Sequence, residues 1–130
     1  MKKISVVAAV IQHNDLYLCV RRGPAKYDYI ANKWEFPGGK VEPEETKEDA
    51  IKREIQEELK MEIMISTFLM TVSHVYPDFH LTMDTFLCNT FSKDLTLTEH
   101  QDFLWLPKDK LSHLDWAAAD KPIVSKLESL

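Results

Sequence analysis

The stretch from Gly39 to Met61 reads GKVEPEETKEDAIKREIQEELKM and carries the strongest pattern in the chain. Glu45 follows the glycine, and Arg53-Glu54-Ile55-Gln56-Glu57-Glu58 follows in turn. On a helix, Glu54, Glu57 and Glu58 stand at i, i+3 and i+4 and share one face. Ile51, Ile55 and Leu59 recur along a neighbouring stripe, which gives that helix a side to bury. Three crowded carboxylates repel one another unless a cation sits among them. Hard oxygen ligands suit Mg²⁺ or Mn²⁺, ions that complete their shells with substrate phosphates. The pattern points to metal-dependent phosphate chemistry.

A glutamate-rich helix can also be a solvated surface, and Arg53 with Glu57 has the spacing of an ordinary i,i+4 ion pair. The residues before it weigh against that reading. Trp34-Glu35-Phe36-Pro37-Gly38-Gly39-Lys40 reads as a short strand entering a Pro-Gly-Gly turn. Bare backbone there can approach a ligand and aim a carbonyl at a metal. Thr46, with Asp49 three residues on, reads as a helix N-cap with an Asp form of the capping box.

This series resembles the signature of the Nudix hydrolases, in which a glycine, a glutamate and an Arg-Glu-aliphatic-x-Glu-Glu-x-Gly-aliphatic run follow at fixed spacing. The matching positions are Gly39, Glu45, Arg53, Glu54, Ile55, Glu57, Glu58 and Met61. Lys60 stands where the family has glycine, the residue that caps its helix in the left-handed conformation. Lys60 suits the helix C-terminal dipole but is expected to end the helix differently. The likeness runs from residue 1 to 130 and is nearest the MutT-like nucleoside triphosphate pyrophosphohydrolases, CTP pyrophosphohydrolase-like members among them. It implies a single domain over 1–130 of the α/β class, a Nudix α/β/α sandwich with a mixed sheet between helices.

Composition fits such a domain. The 130 residues are 45% hydrophobic, enough for one core. Met1-Lys2-Lys3 leads into a strand-like run rather than a cleavable apolar segment, and no apolar stretch reaches membrane-span length. Cys19 and Cys88 lie in apolar runs without a metal or disulfide pattern, so a reducing cytoplasm is expected. A net charge of −5 speaks against a nucleic acid polymer as partner, though not against a small-molecule nucleotide. A monomer and a homodimer are both compatible with the sequence.

The remaining elements follow from periodicity and turn residues. Strands are expected at Ile4–Ile11, Leu16–Val20, Trp34–Phe36, Ile63–Val75, His80–Phe91 and Phe103–Leu106. A helix is expected from Thr46 to Leu59, a short one after Pro107, and a last one from Asp120, with Pro122 in its first turn.

Cleaving a phosphoanhydride requires neutralising charge and acidifying the attacking water, which a bound metal supplies. The resemblance implies that Glu54, Glu57 and Glu58 hold Mg²⁺ (or Mn²⁺) with the Gly38 carbonyl. Glu99 has two readings, a plain loop glutamate and an additional metal ligand. Glu54 and Glu99 are both candidates for the catalytic proton acceptor. Glu45 and Arg53 are implied to form a structural pair, and a guanidinium fork matches a carboxylate for that purpose. The candidate substrate-binding set is Arg22, Tyr29, Glu35, Phe36, Lys40 and Asp120, with Arg22 and Lys40 assigned to phosphate or, on the plainer reading, to solvent.

Base recognition turns on Trp116-Ala117-Ala118-Ala119-Asp120, which resembles the region where the family reads the nucleobase. Asn at the position of Asp120 marks enzymes aimed at oxidised guanine. An ionised Asp only accepts, which favours an exocyclic amine such as cytosine N4. Phe79, where the MutT type carries a basic residue, points the same way. CTP, dCTP or a modified cytosine nucleotide is therefore expected, with 8-oxo-dGTP and a catalytically silent binding module as alternatives. Asp120 is equally placed to cap the last helix. Tyr27, Tyr29, Phe36 and Trp116 offer faces for base stacking or for core packing. His74, His80, His100 and His113 lack ligand spacing and are expected at structural or surface positions.

Overall fold

The computed structural model describes residues 1–130. Its first strand, β1 (Lys2–His13), turns at Asn14 into β2 (Leu16–Arg21). The short β3 (Trp34–Glu35) and β4 (Gly38–Lys40) precede helix α1 (Lys47–Leu59). The long strands β5 (Met64–Val75) and β6 (Phe79–Asn89) form a hairpin, followed by β7 (Asp102–Pro107), two 3₁₀ turns and helix α2 (Lys121–Glu128).

All seven strands join one mixed sheet, in the order β3-β2-β1-β6-β5, with β4 on β1 and β7 on β2. β1 runs parallel to β6 along eleven residue pairs, and the other pairings are antiparallel. β1 parts from β2 beyond Gln12 and receives β4 at Val6–Ala8 instead. This fork opens the sheet where the glycines sit.

The central strands are apolar on both faces because each face meets a helix. Val7, Ala9, Ile11, Leu18 and Val20 pack with Ile51, Ile55 and Leu59 of α1. Ala8, Val10, Tyr17 and Cys19 pack on the opposite face with Ile123, Val124 and Leu127 of α2. The expected sandwich is observed, with a mixed sheet between helices.

Four local expectations need correction. Pro37-Gly38-Gly39 is not a turn: both glycines lie in β4, and no glycine has positive φ. They are needed for their missing side chains, since a Cβ on Gly38 would overlap the Val7 carbonyl oxygen. Thr46 does cap α1, accepting from the Asp49 N–H at 3.0 Å, but only this half of the box forms. Lys60 adopts the left-handed conformation of the glycine it replaces, at φ 56°, and its N–H reaches the Gln56 carbonyl. Asp120 makes no side-chain cap on α2, because that side chain points elsewhere.

Candidate active site

Three features of the chain bring the acidic residues together. β4 lies antiparallel to β1, which sets Gly39 against α1. A Cβ on Gly39 would stand 2.5 Å from the Glu54 carboxyl carbon, so this carboxylate fits only against bare backbone. The loop before β7 is stitched to the end of α1: the Thr96 N–H reaches the Leu59 carbonyl at 2.9 Å, and the Thr98 N–H reaches that of Glu58 at 3.0 Å. The Thr98 hydroxyl donates to the Glu57 carbonyl at 2.8 Å. These bonds satisfy carbonyls left open by the helix end and place Glu99 and His100 beside Glu58.

Arg53 organises the outer side. Its Nε and one terminal nitrogen grip both Glu45 oxygens at 2.8 and 2.9 Å, a two-pronged contact. The same terminal nitrogen donates to the Lys40 carbonyl at 3.0 Å, tying helix to strand. The other contacts Glu54 at 2.9 Å and Glu57 at 3.3 Å. Hydrogen bonding from Arg53 and from the Glu42 N–H holds Glu45 at a pKa of about 2.

Glu58 is the innermost carboxylate, 4% exposed. Burial, then the charges of Glu54, Glu99 and Glu35, push its pKa far above the usual carboxylate range. Its Oε2 is buried without a hydrogen-bond partner. Such an orphaned oxygen among mutually repelling carboxylates is what a cation would relieve, and an all-oxygen donor set suits a hard divalent ion. No three acidic or histidine side chains converge as a ready-made cage, since Glu54 and Glu57 are turned onto Arg53. The carboxylates of Glu54, Glu57, Glu58 and Glu99 are the oxygen donors that a hard divalent ion takes.

A cavity of about 720 Å³ runs from this cluster to the far end of the sheet. At the acidic end its wall includes Gly38, Gly39, Lys40, Glu58 and Glu99; at the other it includes Tyr27, Phe36, Phe79 and Asp120. Arg22 is half-exposed at the rim, 3.5 Å from Glu35. Of the candidate substrate residues, Arg22, Glu35, Phe36, Lys40 and Asp120 line the cavity and Tyr29 does not. Tyr29 instead stacks between Tyr27 and Tyr76 and donates to Asp78 at 2.7 Å. Trp116 backs the wall by stacking on Phe36. Tyr27, Phe36, Tyr76 and Phe79 are the aromatic side chains that line the cavity.

Asp120 reaches the cavity because the 115–120 segment is pinned beside β3. The Trp34 N–H meets the Asp115 carbonyl and the Ala117 N–H meets that of Trp34, each at 2.9 Å. The Tyr76 hydroxyl accepts from the Ala119 N–H at 2.9 Å. Asp120 Oδ1 accepts from the Phe36 N–H at 3.0 Å. Burial, then the charge of Glu35, pushes the Asp120 pKa well above its ordinary value, against the pull of the Phe36 N–H and Arg22. Burial therefore works against the ionised, accept-only carboxylate that the sequence reading of Asp120 uses.

His100, expected at a structural or surface position, has a side chain only 4% exposed that sits between carboxylates. Its Nε2 is 2.9 Å from Glu35 and 3.8 Å from Glu58. Its place directly after Glu99 is the one sequence signal that could have drawn attention to it.

Residues 6–126 match the NUDIX domain family. The chain is 41% identical, over 73% of its own length and 84% of the relative, to an 8-oxo-dGTP diphosphatase of Proteus vulgaris. It is 32% identical, over its whole length and 95% of the relative, to a CTP pyrophosphohydrolase of Escherichia coli K12. The solution structure of a MutT protein (family Nudix hydrolase) from methicillin-resistant Staphylococcus aureus superposes with a TM-score of 0.75 at 38% identity, covering 99% of this chain and 98% of that one. With the acidic helix, its arginine and the glycine strand assembled as described, the chain belongs to the Nudix family and is a Nudix hydrolase.

Proposed function

We propose that this Nudix hydrolase splits a nucleoside triphosphate into the monophosphate and pyrophosphate, using Mg²⁺, as a cytoplasmic enzyme. The observation that carries the reading is the single cavity joining the acidic cluster to the Asp120 pocket. Its length serves a ligand with phosphates at one end and a base at the other. A bound divalent ion neutralises charge on the phosphates and acidifies water. Glu54, Glu57, Glu58, Glu99 and the Gly38 carbonyl are the groups proposed to hold it, and Mn²⁺ suits them as well. Glu54 and Glu99 are the candidate proton acceptors. Lys40 and Arg22 would steady the phosphates. Residues 1–130 act as one domain, monomeric or homodimeric, on a small nucleotide rather than a polymer.

For the base, a protonated Asp120, the form that burial favours, would offer an O–H beside a carbonyl. Cytosine presents its N4 amine next to the N3 acceptor, so two hydrogen bonds close against Asp120 while Phe79 or Tyr27 covers the ring. CTP, dCTP or a modified cytosine nucleotide is the first reading. Guanine presents N1–H beside O6, the same complementary pair, which supports 8-oxo-dGTP as the second. A panel of kcat/KM values for CTP, dCTP, 5-methyl-dCTP, GTP and 8-oxo-dGTP, with pyrophosphate release as readout, separates them. A cytosine nucleotide at least tenfold ahead supports the first reading, and 8-oxo-dGTP ahead supports the second. Absence of turnover on every member would leave a silent binding module.

A further inference from the structure

We infer that His100 is a positioning residue for the hydrolase reaction, holding Glu35 and Glu58 in fixed relation so that the free oxygen of Glu58 faces the cation site. Three observations carry this. The imidazole is almost wholly buried, and its Nε2 lies 2.9 Å from Glu35 Oε2 and 3.8 Å from Glu58 Oε1. Its Nδ1 has no hydrogen-bond partner, so the ring's one anchoring contact is the Nε2 donation to Glu35. Glu58 has no other cationic group within 4.0 Å, and its Oε2 has no protein partner at all.

An N–H wedged between two carboxylates attracts both and keeps them from swinging apart or into one another. The backbone fixes where that wedge stands. Thr96 and Thr98 bind the carbonyls of Leu59, Glu58 and Glu57, the same turn of α1 that carries the acidic residues. The Gln101 N–H holds the other side of the loop to the Arg21 carbonyl at 2.9 Å. His100 therefore registers the metal-side carboxylate against Glu35, which in turn meets Arg22 at the rim. Partners that orient a ligating carboxylate influence metal affinity without touching the metal.

The inference rests on the proposed metal role of Glu58, and the test separates the two. His100→Gln can return an amide N–H to the place of Nε2; His100→Asn reaches only as far as Nδ1. Mn²⁺ affinity is measured without nucleotide, from the electron paramagnetic resonance signal of the free ion, and kcat is measured in parallel with saturating Mg²⁺ and CTP or 8-oxo-dGTP. His100→Ala and His100→Asn are expected to weaken Mn²⁺ binding roughly 10- to 100-fold and to lower kcat, with His100→Gln staying near the parent in both. Unchanged Mn²⁺ affinity in His100→Ala overturns the inference. So does a fall of His100→Gln level with His100→Asn, by misfolding or otherwise, since filling space alone would then be the role. A parent chain that neither binds Mn²⁺ nor turns over nucleotide contradicts the proposed function instead.

Discussion

Gly39 and Glu54 are in such close register that the helix carboxylate occupies the space a side chain at position 39 would need, 2.5 Å from the built Cβ. The neighbouring Gly38 faces the Val7 backbone instead. The two glycines therefore fail differently. In Gly39→Ala the flexible Glu54 carboxylate gives way, so the fold should persist while kcat falls on the order of 10²-fold for a shift of about 1 Å. In Gly38→Ala the obstacle is a backbone carbonyl of β1, and the folded state itself should be lost or much weakened. Thermal melts beside kcat check both. Full turnover in Gly39→Ala would show that the packing does not place Glu54.

Asp120→Asn should stabilise the chain, and only above the acid range. The unfolded carboxyl titrates near ~3.9, while burial raises the folded value well above that. Between those two pKa values the folded chain keeps a proton that the unfolded chain has lost, so stability falls as pH rises through the window. Asn carries no such penalty and can still accept from the Phe36 N–H. The melting temperature of the variant should match the parent near pH ~3 and exceed it increasingly from pH ~5 upward. A difference constant with pH would mean that Asp120 is ionised in the fold.

Glu57→Gln and Glu58→Gln should keep the fold and lose turnover at limiting Mg²⁺. Charge stabilisation by a metal supplies several kcal/mol, so losing a ligand should cost on the order of 10²-fold or more. Titrating Mg²⁺ in a turnover assay checks this. Full activity of both variants at limiting Mg²⁺ would remove the acidic helix from the site.

What sequence made legible was local and periodic. The α1 stripe of Ile51, Ile55 and Leu59 and the Thr46 cap depend on spacing within one segment and stand in the structure, the cap without its reciprocal half. The Glu45–Arg53 pair implied by the family resemblance is present too. What sequence hid depended on distant partners. Gly38 and Gly39 read as a turn because glycine signals freedom of φ, whereas here it signals contact with Val7 and Glu54. His100 has no ligand spacing, and its meaning comes from Glu35 and Glu58, far away along the chain. The burial of Asp120 and its contact with the Phe36 N–H were likewise hidden, because local sequence carries no information on burial.

Lys60 offers a test of the helix end alone. Its left-handed conformation, at φ 56°, disfavours a side chain, and glycine would relieve the strain at some entropic cost. Lys60→Gly is expected to add roughly 0.5–1 kcal/mol of stability, a rise of ~2–4 °C in Tm, with kcat unchanged. A lower Tm would indicate that the lysine's charge at the helix C-terminus outweighs its backbone strain.

Hydrolysis in ¹⁸O-water followed by ³¹P NMR bears on the central proposal more closely than any variant. With Mg²⁺ and CTP, dCTP or 8-oxo-dGTP, the expected products are the monophosphate and pyrophosphate, with ¹⁸O in the pyrophosphate from attack at the β-phosphorus. Orthophosphate as the primary product would contradict it.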